Sequence, residues 1–169
     1  MKSIKLPDIE ILNSSFYIDE KFRLIHKAKC GNAEGRVAGN VMPSGYIRIN
    51  CKGKLYLAHR IIFKMHNKVD PLDMEVDHIN GDKTDNNPEN LRLATRSQNR
   101  KNTSRYSSNK CGFKGVWFDK RYNSYFCAIQ SEGNRVHFGP FRTAEEASEK
   151  YEKEAKSKFG KFYKDNSNG

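Results

Sequence analysis

The apolar residues of this chain occur in short runs, and polar or turn-forming residues interrupt each run. Four runs lie in the N-terminal third, at positions 16–18, 23–25, 45–49 and 55–57. In the third of these, apolar and polar residues alternate as in a half-buried strand. The pattern predicts a small β region over residues 1–57. Apolar residues make up 36% of the 169-residue chain, with ten Phe and eight Tyr, so we expect thin cores.

The middle of the chain predicts a helix, two strands joined by a polar loop, and a second helix. Apolar side chains follow helical spacing within residues 58–67. Strands are predicted at 75–79 and 91–93, because turn-forming and polar residues separate these two runs. The sequence T-x-x-Q from Thr95 is a capping box, so the second helix is expected to begin at Thr95.

The C-terminal third predicts a three-stranded antiparallel meander followed by a helix. Its strand-like runs are at 114–118, 124–130 and 135–138. The sequence T-x-x-E from Thr143 is a second capping box. The helix after it has an apolar face that would pack on the sheet, formed by Ala147, Tyr151, Ala155 and Phe159. Further core candidates are Phe118, Phe126 and Phe138.

The chain is strongly basic, with a formal net charge of +11 and a pI near 9.5. Between Arg92 and Arg121, nine basic residues stand against the single acid Asp119. A protein this basic is usually neutralised by a polyanion. An anionic membrane surface is the alternative, but the chain has no long apolar run and no lipidation signal, so we expect nucleic acid and no membrane.

The four cysteines form no C-x-x-C pair, and a zinc ribbon or finger would need such closely spaced ligands. The first ten residues lack the apolar segment of a signal peptide. These features predict reduced thiols and a cytoplasmic protein.

The densest group of reactive side chains runs from Asp77 to Asn99. Hydrolysis of a phosphodiester needs a base that activates water and a cation that stabilises the leaving oxygen. An Asp–His pair at the end of a strand supplies a carboxylate ligand beside an imidazole that suits a base near neutral pH. Asn99, on the capped helix, could add a neutral oxygen ligand. Such oxygens favour a hard cation, Mg²⁺ or Mn²⁺.

Residues 45–102 resemble the HNH endonucleases, also called ββα-metal nucleases. The resemblance rests on the D-H pair at Asp77, the N-L-R sequence from Asn90, and the S-x-N sequence that ends at Asn99. It implies that Asp77 and Asn99 bind the metal, that His78 is the general base, and that Asn90 ties the loop between the strands to its backbone. The Asn at the last position is typical of phage and intron-encoded homing enzymes. His59 is kept outside the catalytic set, since a histidine in such a helix more often packs or contacts phosphate.

A second resemblance covers residues 110–165. The runs K-G-V-W-F-D from Lys114 and R-V-H-F-G-P-F from Arg135 are similar to the plant ethylene-response-factor DNA-binding domain, whose three-stranded sheet enters the major groove. Lys114 and Gln130 replace arginines of that family, and His137 replaces a tryptophan, so the plant target site does not carry over. Gln130 has the chemistry to read adenine.

The sequence therefore predicts a modular α+β protein. Its parts are a small N-terminal β region (1–57), a ββα-metal HNH core (58–103), a basic linker (104–110), and a three-stranded antiparallel sheet packed on one helix as an ethylene-response-factor-like domain (111–165). The expected DNA-contacting residues are Arg92, Arg96, Arg100, Lys101, Arg105, Lys114, Trp117, Lys120, Arg121, Gln130, Arg135 and His137.

The function predicted from these features is site-specific hydrolysis of double-stranded DNA with one divalent metal, most simply Mg²⁺, and His78 as the base. One such centre cuts one strand, so a monomer, which is slightly favoured, should nick DNA. The expected setting is the cytoplasm of a phage-infected or bacterial cell. The alternatives are a non-catalytic DNA-binding regulator on the same scaffold and, from charge alone, an RNA-binding protein.

Overall fold

In the computed structural model, the structure describes residues 5–27, 33–101, 109–131 and 133–163. The chain forms two compact units, residues 1–97 and residues 98–169. Both units combine helices with antiparallel sheets, so the predicted mixed α+β class is confirmed. Among the described residues, no helix has both the length and the apolar composition needed to cross a membrane.

Among its described residues, the first unit contains two α-helices and seven short strands. In chain order these elements are α1 (Ile9–Ser15), β1 (Phe16–Ile18), β2 (Leu24–His26), β3 (Asn40–Val41), β4 (Ile47–Cys51), β5 (Lys54–Leu57), α2 (Ala58–Asn67), β6 (Glu75–His78) and β7 (Leu91–Ala94). The strands form three antiparallel sheets: β1 with β2, β3 with β4 and β5, and β6 with β7.

Helix α2 lies at the centre of the first unit's core. Its apolar face buries Ala58, Ile61, Ile62, Phe63 and Met65. The helix ends where Lys68 adopts a left-handed conformation, with φ of 57°, and its backbone N–H bonds to the carbonyl of Lys64. This core packs α2 against the strands of the first unit.

The predicted strands of the first unit and the helix at 58–67 are confirmed, but the N-terminal region is not purely β. Helix α1 was not predicted. Its physical cause is the spacing of Ile9 and Leu12, which puts two apolar side chains on one face, and Leu6, before the helix, packs in the same core. Leu12 is fully buried. Strand β3 and a 3-10 turn at Pro88–Asn90 were also missed.

The second unit contains the predicted three-stranded meander and its helix. The strands are β8 (Val116–Asp119), β9 (Ser124–Ser131) and β10 (Asn134–Phe141), with β9 in the middle, and the helix is α4 (Ala144–Phe159). Earlier in the sequence, α3 (Arg96–Lys101) spans the boundary between the two units. It begins one residue later than the capping box at Thr95 predicts.

Helix α4 packs its apolar face on the sheet as predicted. Ala147, Tyr151 and Ala155 are buried against Val116, Cys127 and Ile129. Gly115 allows this approach, since a Cβ atom there would collide with the ring of Tyr151 and the residue has φ of +73°. Among the predicted core phenylalanines, Phe138 packs against this core, but Phe118 and Phe126 are wrong. Phe118 is 38% exposed, and Phe126 lies against Trp117 on the face of the sheet away from α4.

The N-terminus of α4 is capped as expected, except that the returning hydrogen bond from Glu146 involves the residue before the cap. The hydroxyl of Thr143 accepts a hydrogen bond from the backbone N–H of Glu146. The carboxylate of Glu146 in turn accepts from the backbone N–H of Arg142, one residue before the cap. Gly160, with φ of 49°, ends the helix as predicted.

Candidate functional site

The hairpin of β6 and β7 carries the predicted Asp–His pair. Asp77 is paired across the hairpin with Arg92, and His78 with Leu91. Both side chains are buried, with exposed fractions of 6% for Asp77 and 3% for His78. Polar side chains this deeply buried need partners, and the neighbouring residues supply them.

The loop between the two strands is held by side chain to backbone hydrogen bonds. Asn90 is its centre: its amide oxygen accepts from the backbone N–H of Asn80, while its amide nitrogen donates to the side chain of Asn80 and to the carbonyl of Asp85. The carboxylate of Asp82 accepts from both the N–H and the hydroxyl of Thr84. Asn90 therefore links both ends of the loop through its side chain.

The loop also places the buried side-chain amide of Asn86 against the ring of His78. The side-chain oxygen of Asn86 lies 3.1 Å from Nε2 of His78, and Asn86 is itself buried. Because an amide oxygen only accepts hydrogen bonds, this contact puts the hydrogen of neutral His78 on Nε2. Nδ1 is then the ring nitrogen that can accept a proton.

Arg92 forms an ion pair with Asp77. Its Nε lies 2.9 Å and its NH2 2.7 Å from the same carboxylate oxygen, Oδ2. The arginine side chain is only 12% exposed. Arg92 was predicted to contact DNA, whereas in the structure its guanidinium compensates the charge of a buried carboxylate.

Two further aromatic rings pack against His78. The ring of His59 meets it edge-on with centroids 4.8 Å apart, and the ring of Tyr46 lies 6.0 Å from it and 5.2 Å from His59. Burial is the main reason that the pKa of His59 is lowered to about 3, with the nearby His78 and Arg60 adding to it. Burial, and then the charges of Asp77 and Glu75, raise the pKa of Tyr46.

Lys83 connects the loop to the turn that carries Tyr46. Its ammonium group donates to the carbonyl of Ser44 at 2.8 Å and lies 4.8 Å from the centre of the Tyr46 ring. The loop that holds Asn86 is therefore fastened at its tip as well as at its base.

The carboxylate of Asp77, at the end of β6, is a donor of the kind that a hard divalent cation prefers. Asn99, the other predicted ligand, lies on α3 and stays a prediction. Within the described part of the chain, no three His, Cys, Asp or Glu side chains cluster as a metal site. A cation with so few protein ligands would keep water or phosphate oxygens, as Mg²⁺ does. Arg92 already pairs with Oδ2 of this carboxylate.

The outer face of the C-terminal sheet brings together four of the predicted DNA-contacting residues. Trp117, Gln130, Arg135 and His137 all lie on the side away from α4, as the strand register requires. The Trp117 ring stacks on Phe126 at 6.0 Å, meets His137 edge-on at 5.6 Å, and lies 5.9 Å from the Arg135 guanidinium. Gln130, Arg135 and His137 are exposed.

The other predicted contact residues lie elsewhere. Lys114 precedes β8 and stands 5.6 Å from the ring of Tyr163. Lys120 and Arg121 are exposed in the β8–β9 turn, where Arg121 pairs with Asp119 at 2.6 Å. On α3, Arg96 and Arg100 are exposed, and Lys101 is its last residue. Arg105 lies outside the described residues.

Three site residues were not predicted from the sequence: Asn86, Tyr46 and His59. Asn86 stands in the polar loop among several asparagines, and no spacing rule selects it. The rings of Tyr46 and His59 reach His78 only through the packing of β4 and α2 against the hairpin. The one sequence signal was His59 itself, a polar residue on the apolar face of a helix.

Comparison with known proteins shows what the hairpin is similar to. Residues 56–101 match the model of the HNH endonuclease family. An uncharacterised HNH endonuclease of Acanthamoeba polyphaga mimivirus is 36% identical over 121 residues, which cover 70% of this chain and 61% of the viral protein. The predicted resemblance to HNH endonucleases is therefore confirmed for residues 56–101. The chain spans about three fifths of the length of that relative.

A solved structure, described as DNA binding and cleavage by the HNH homing endonuclease I-HmuI, is also similar. It matches at 20% identity with a TM-score of 0.45, and the match covers 85% of this chain and 81% of the other. The ethylene-response-factor-like resemblance of the C-terminal unit stays a prediction.

Proposed function

We propose that this chain is a DNA endonuclease that hydrolyses phosphodiester bonds at the β6–β7 hairpin. The observation that supports this most is the buried His78, whose Nε2 is held by Asn86 and which directly follows the buried Asp77 in β6. This arrangement lies inside the segment that the HNH endonuclease model matches. A buried histidine of defined tautomer is suited to act as the general base for water.

In this proposal His78 takes a proton from the attacking water at Nδ1. The ring then carries hydrogen on both nitrogens, and the Nε2–H continues to donate to the Asn86 oxygen, so that bond supports the charged ring as well as the neutral one. Because Asn86 is buried and tied into the loop, its oxygen need not reorient during the reaction.

Asp77 and Asn99 are the proposed ligands of a divalent cation, Mg²⁺ or Mn²⁺. When bound, this ion would supply positive charge to the phosphate and to the departing 3′ oxygen. Arg92 holds the carboxylate of Asp77 in a fixed direction through two N–H donors to one oxygen. Asn90 keeps the loop between the strands in shape.

The C-terminal sheet is proposed to select the DNA. Its outer face presents an exposed amide, a guanidinium and a histidine around Trp117, which are suited to phosphate contacts and base edges. As an ethylene-response-factor-like domain it would read duplex DNA from the major groove. Joining two modest modules in one chain raises the effective concentration of each on its target.

We also propose that the protein acts as a monomer and nicks one strand, since one centre hydrolyses one bond. The cytoplasm of a phage-infected or bacterial cell is the expected setting. A supercoiled plasmid with Mg²⁺ tests the proposal: the wild type should produce open circles, and His78→Ala should slow nicking about 10²–10⁴-fold, as loss of a general base does.

His66→Ala is the matched control, because His66 is an exposed histidine on α2 and should leave nicking unchanged. Equal nicking by wild type and His78→Ala would contradict the proposal and favour a non-catalytic DNA-binding regulator. Preference for duplex RNA over duplex DNA at matched salt would contradict the assignment of DNA as substrate.

A further inference from the structure

We propose that His59 is a positioning residue whose ring fixes the plane of the His78 imidazole for proton transfer. This inference rests on the proposed function, because the plane of His78 matters to activity only if His78 is the base. The structure supports it through ring contacts, burial and the place of His59 in the fold.

A hydrogen bond alone does not fix the orientation of a histidine ring. Rotation of the ring about χ2 has a broad energy profile, so a ring tethered at one nitrogen can still tilt about that bond. His78 is tethered at Nε2 by Asn86. A further constraint is the edge-on contact with His59, where the two rings are inclined by 65° with centroids 4.8 Å apart.

His59 is itself held firmly. It is the second residue of α2, and Ala58, Ile61 and Ile62 of the same helix are buried in the core of the first unit. Its side chain is 3% exposed, and the Tyr46 ring packs on it at 5.2 Å. Because the His59 ring is buried and packed on both sides, it can limit the tilt of the His78 ring, whereas an exposed histidine could not.

The Nδ1 atom of His59 is buried and has no hydrogen-bond partner within the described part of the chain. An unsatisfied buried polar atom destabilises a fold. Burial also keeps this ring neutral, since it lowers the pKa of His59 to about 3. A phenylalanine would offer a ring of similar shape without the unsatisfied nitrogen, so His59→Phe separates the ring contact from the imidazole chemistry.

The experiment compares His59→Ala and His59→Phe with the wild type in Mg²⁺-dependent nicking, with kcat, KM for DNA and Tm measured for each. His59→Ala should lower kcat about 100-fold, as a misplaced catalytic group does. Its KM should change by no more than about twofold, because no substrate contact is lost. His59→Phe should restore kcat to within about threefold of wild type and raise the Tm above that of wild type.

Met65→Ala is the control for general destabilisation, because Met65 lies on the same helix and is similarly buried at 7% exposure. It should lower the Tm and leave kcat unchanged. A readout without metal or DNA is the Nε2–H signal of His78 in the proton NMR spectrum, which the bond to Asn86 should protect. The signal should persist in the wild type and His59→Phe and be lost in His59→Ala.

Either of two results would overturn the inference: full kcat and an intact His78 signal in His59→Ala, or a kcat in His59→Phe as low as in His59→Ala. The second result would assign the role to the imidazole nitrogen rather than to the ring. The proposed function fails separately, if His78→Ala nicks DNA as the wild type does. If His78→Ala is inactive while His59→Ala is fully active, only the inference on His59 fails.

Discussion

The β6–β7 hairpin and the outer face of the C-terminal sheet both carry polar side chains, but the hairpin buries them and the sheet exposes them. In the hairpin, Asp77, His78 and Asn86 are buried, and each has a partner at a defined distance. On the sheet, Gln130 and Arg135 are exposed, and their side chains make no hydrogen bond to any described residue.

The difference follows from what each region is proposed to do. A catalytic group must be fixed before the substrate arrives, because reorganisation during the reaction would add to the barrier. A surface that recognises DNA must be exposed to solvent, because its hydrogen-bond donors and acceptors find their partners on the nucleic acid. Substitutions in the hairpin should therefore lower stability, and those on the sheet should not.

The largest stability loss is expected from Arg92→Ala. This change leaves the buried carboxylate of Asp77 without its described ion-pair partner, and loss of one member of a buried pair typically costs about 3–5 kcal/mol. Chemical denaturation measures the change in unfolding free energy. An exposed pair is the control: Arg121→Ala, which separates Arg121 from Asp119, should have little effect. Equal small losses for both variants would contradict the contrast.

Asn90→Ala should come next. Its side chain makes three hydrogen bonds within the loop, each with a net contribution of about 1 kcal/mol, so a loss of about 2–3 kcal/mol is expected. Glu89→Ala is a suitable neighbour control, because its exposed side chain takes no part in this network. A loss no greater than that of Glu89→Ala would show that the loop does not depend on Asn90.

Acid should destabilise the first unit through His59. Its folded pKa, about 3, lies below the ordinary 6.5. The unfolded chain therefore binds a proton that the fold does not, and stability is lost as the pH falls from 6.5 toward 3. Within this window the loss from this group is about 1.4 kcal/mol per pH unit. Denaturation across pH should show a shallower dependence in His59→Phe, and an unchanged dependence would contradict the burial of this histidine.

The smallest stability effects are expected on the sheet. Gln130→Ala and Arg135→Ala should change the unfolding free energy by no more than about 0.5 kcal/mol, as surface substitutions usually do. Cys127→Ser, which places a polar hydroxyl in the fully buried core of the same sheet, is the contrasting variant and should be clearly destabilising. Large losses at Gln130 or Arg135 would mean that this face has a structural role.

The sequence was enough to predict elements that depend on local pattern. Helix α2, the meander with α4 and the hairpin that carries Asp77 and His78 all follow from periodicity, turn residues and capping boxes. The exposed positions of Gln130 and Arg135 follow from strand alternation alone. Helix α1 was missed, because its apolar spacing lies in a stretch dominated by strand-like runs.

What the sequence could not provide was the contacts between elements. Arg92 and Asp77 are fifteen residues apart, and only the register of the hairpin makes them an ion pair. Tyr46 and His59 reach His78 through tertiary packing. In the sequence, Asn86 is one of many polar residues in the loop. Only the fold brings its side-chain amide to the imidazole of His78.

The separation of chemistry from recognition is tested most directly by measuring both in the same two variants. Single-turnover cleavage at saturating duplex gives the rate, and a binding titration without metal gives Kd. His78→Ala should lose about 10²–10⁴-fold in rate with Kd unchanged. Arg135→Ala should raise Kd and lower the slope of log Kd against log salt concentration by about one, with the rate unchanged. A rate that survives His78→Ala, or a rate lost with Kd intact in Arg135→Ala, would contradict the division between the two regions.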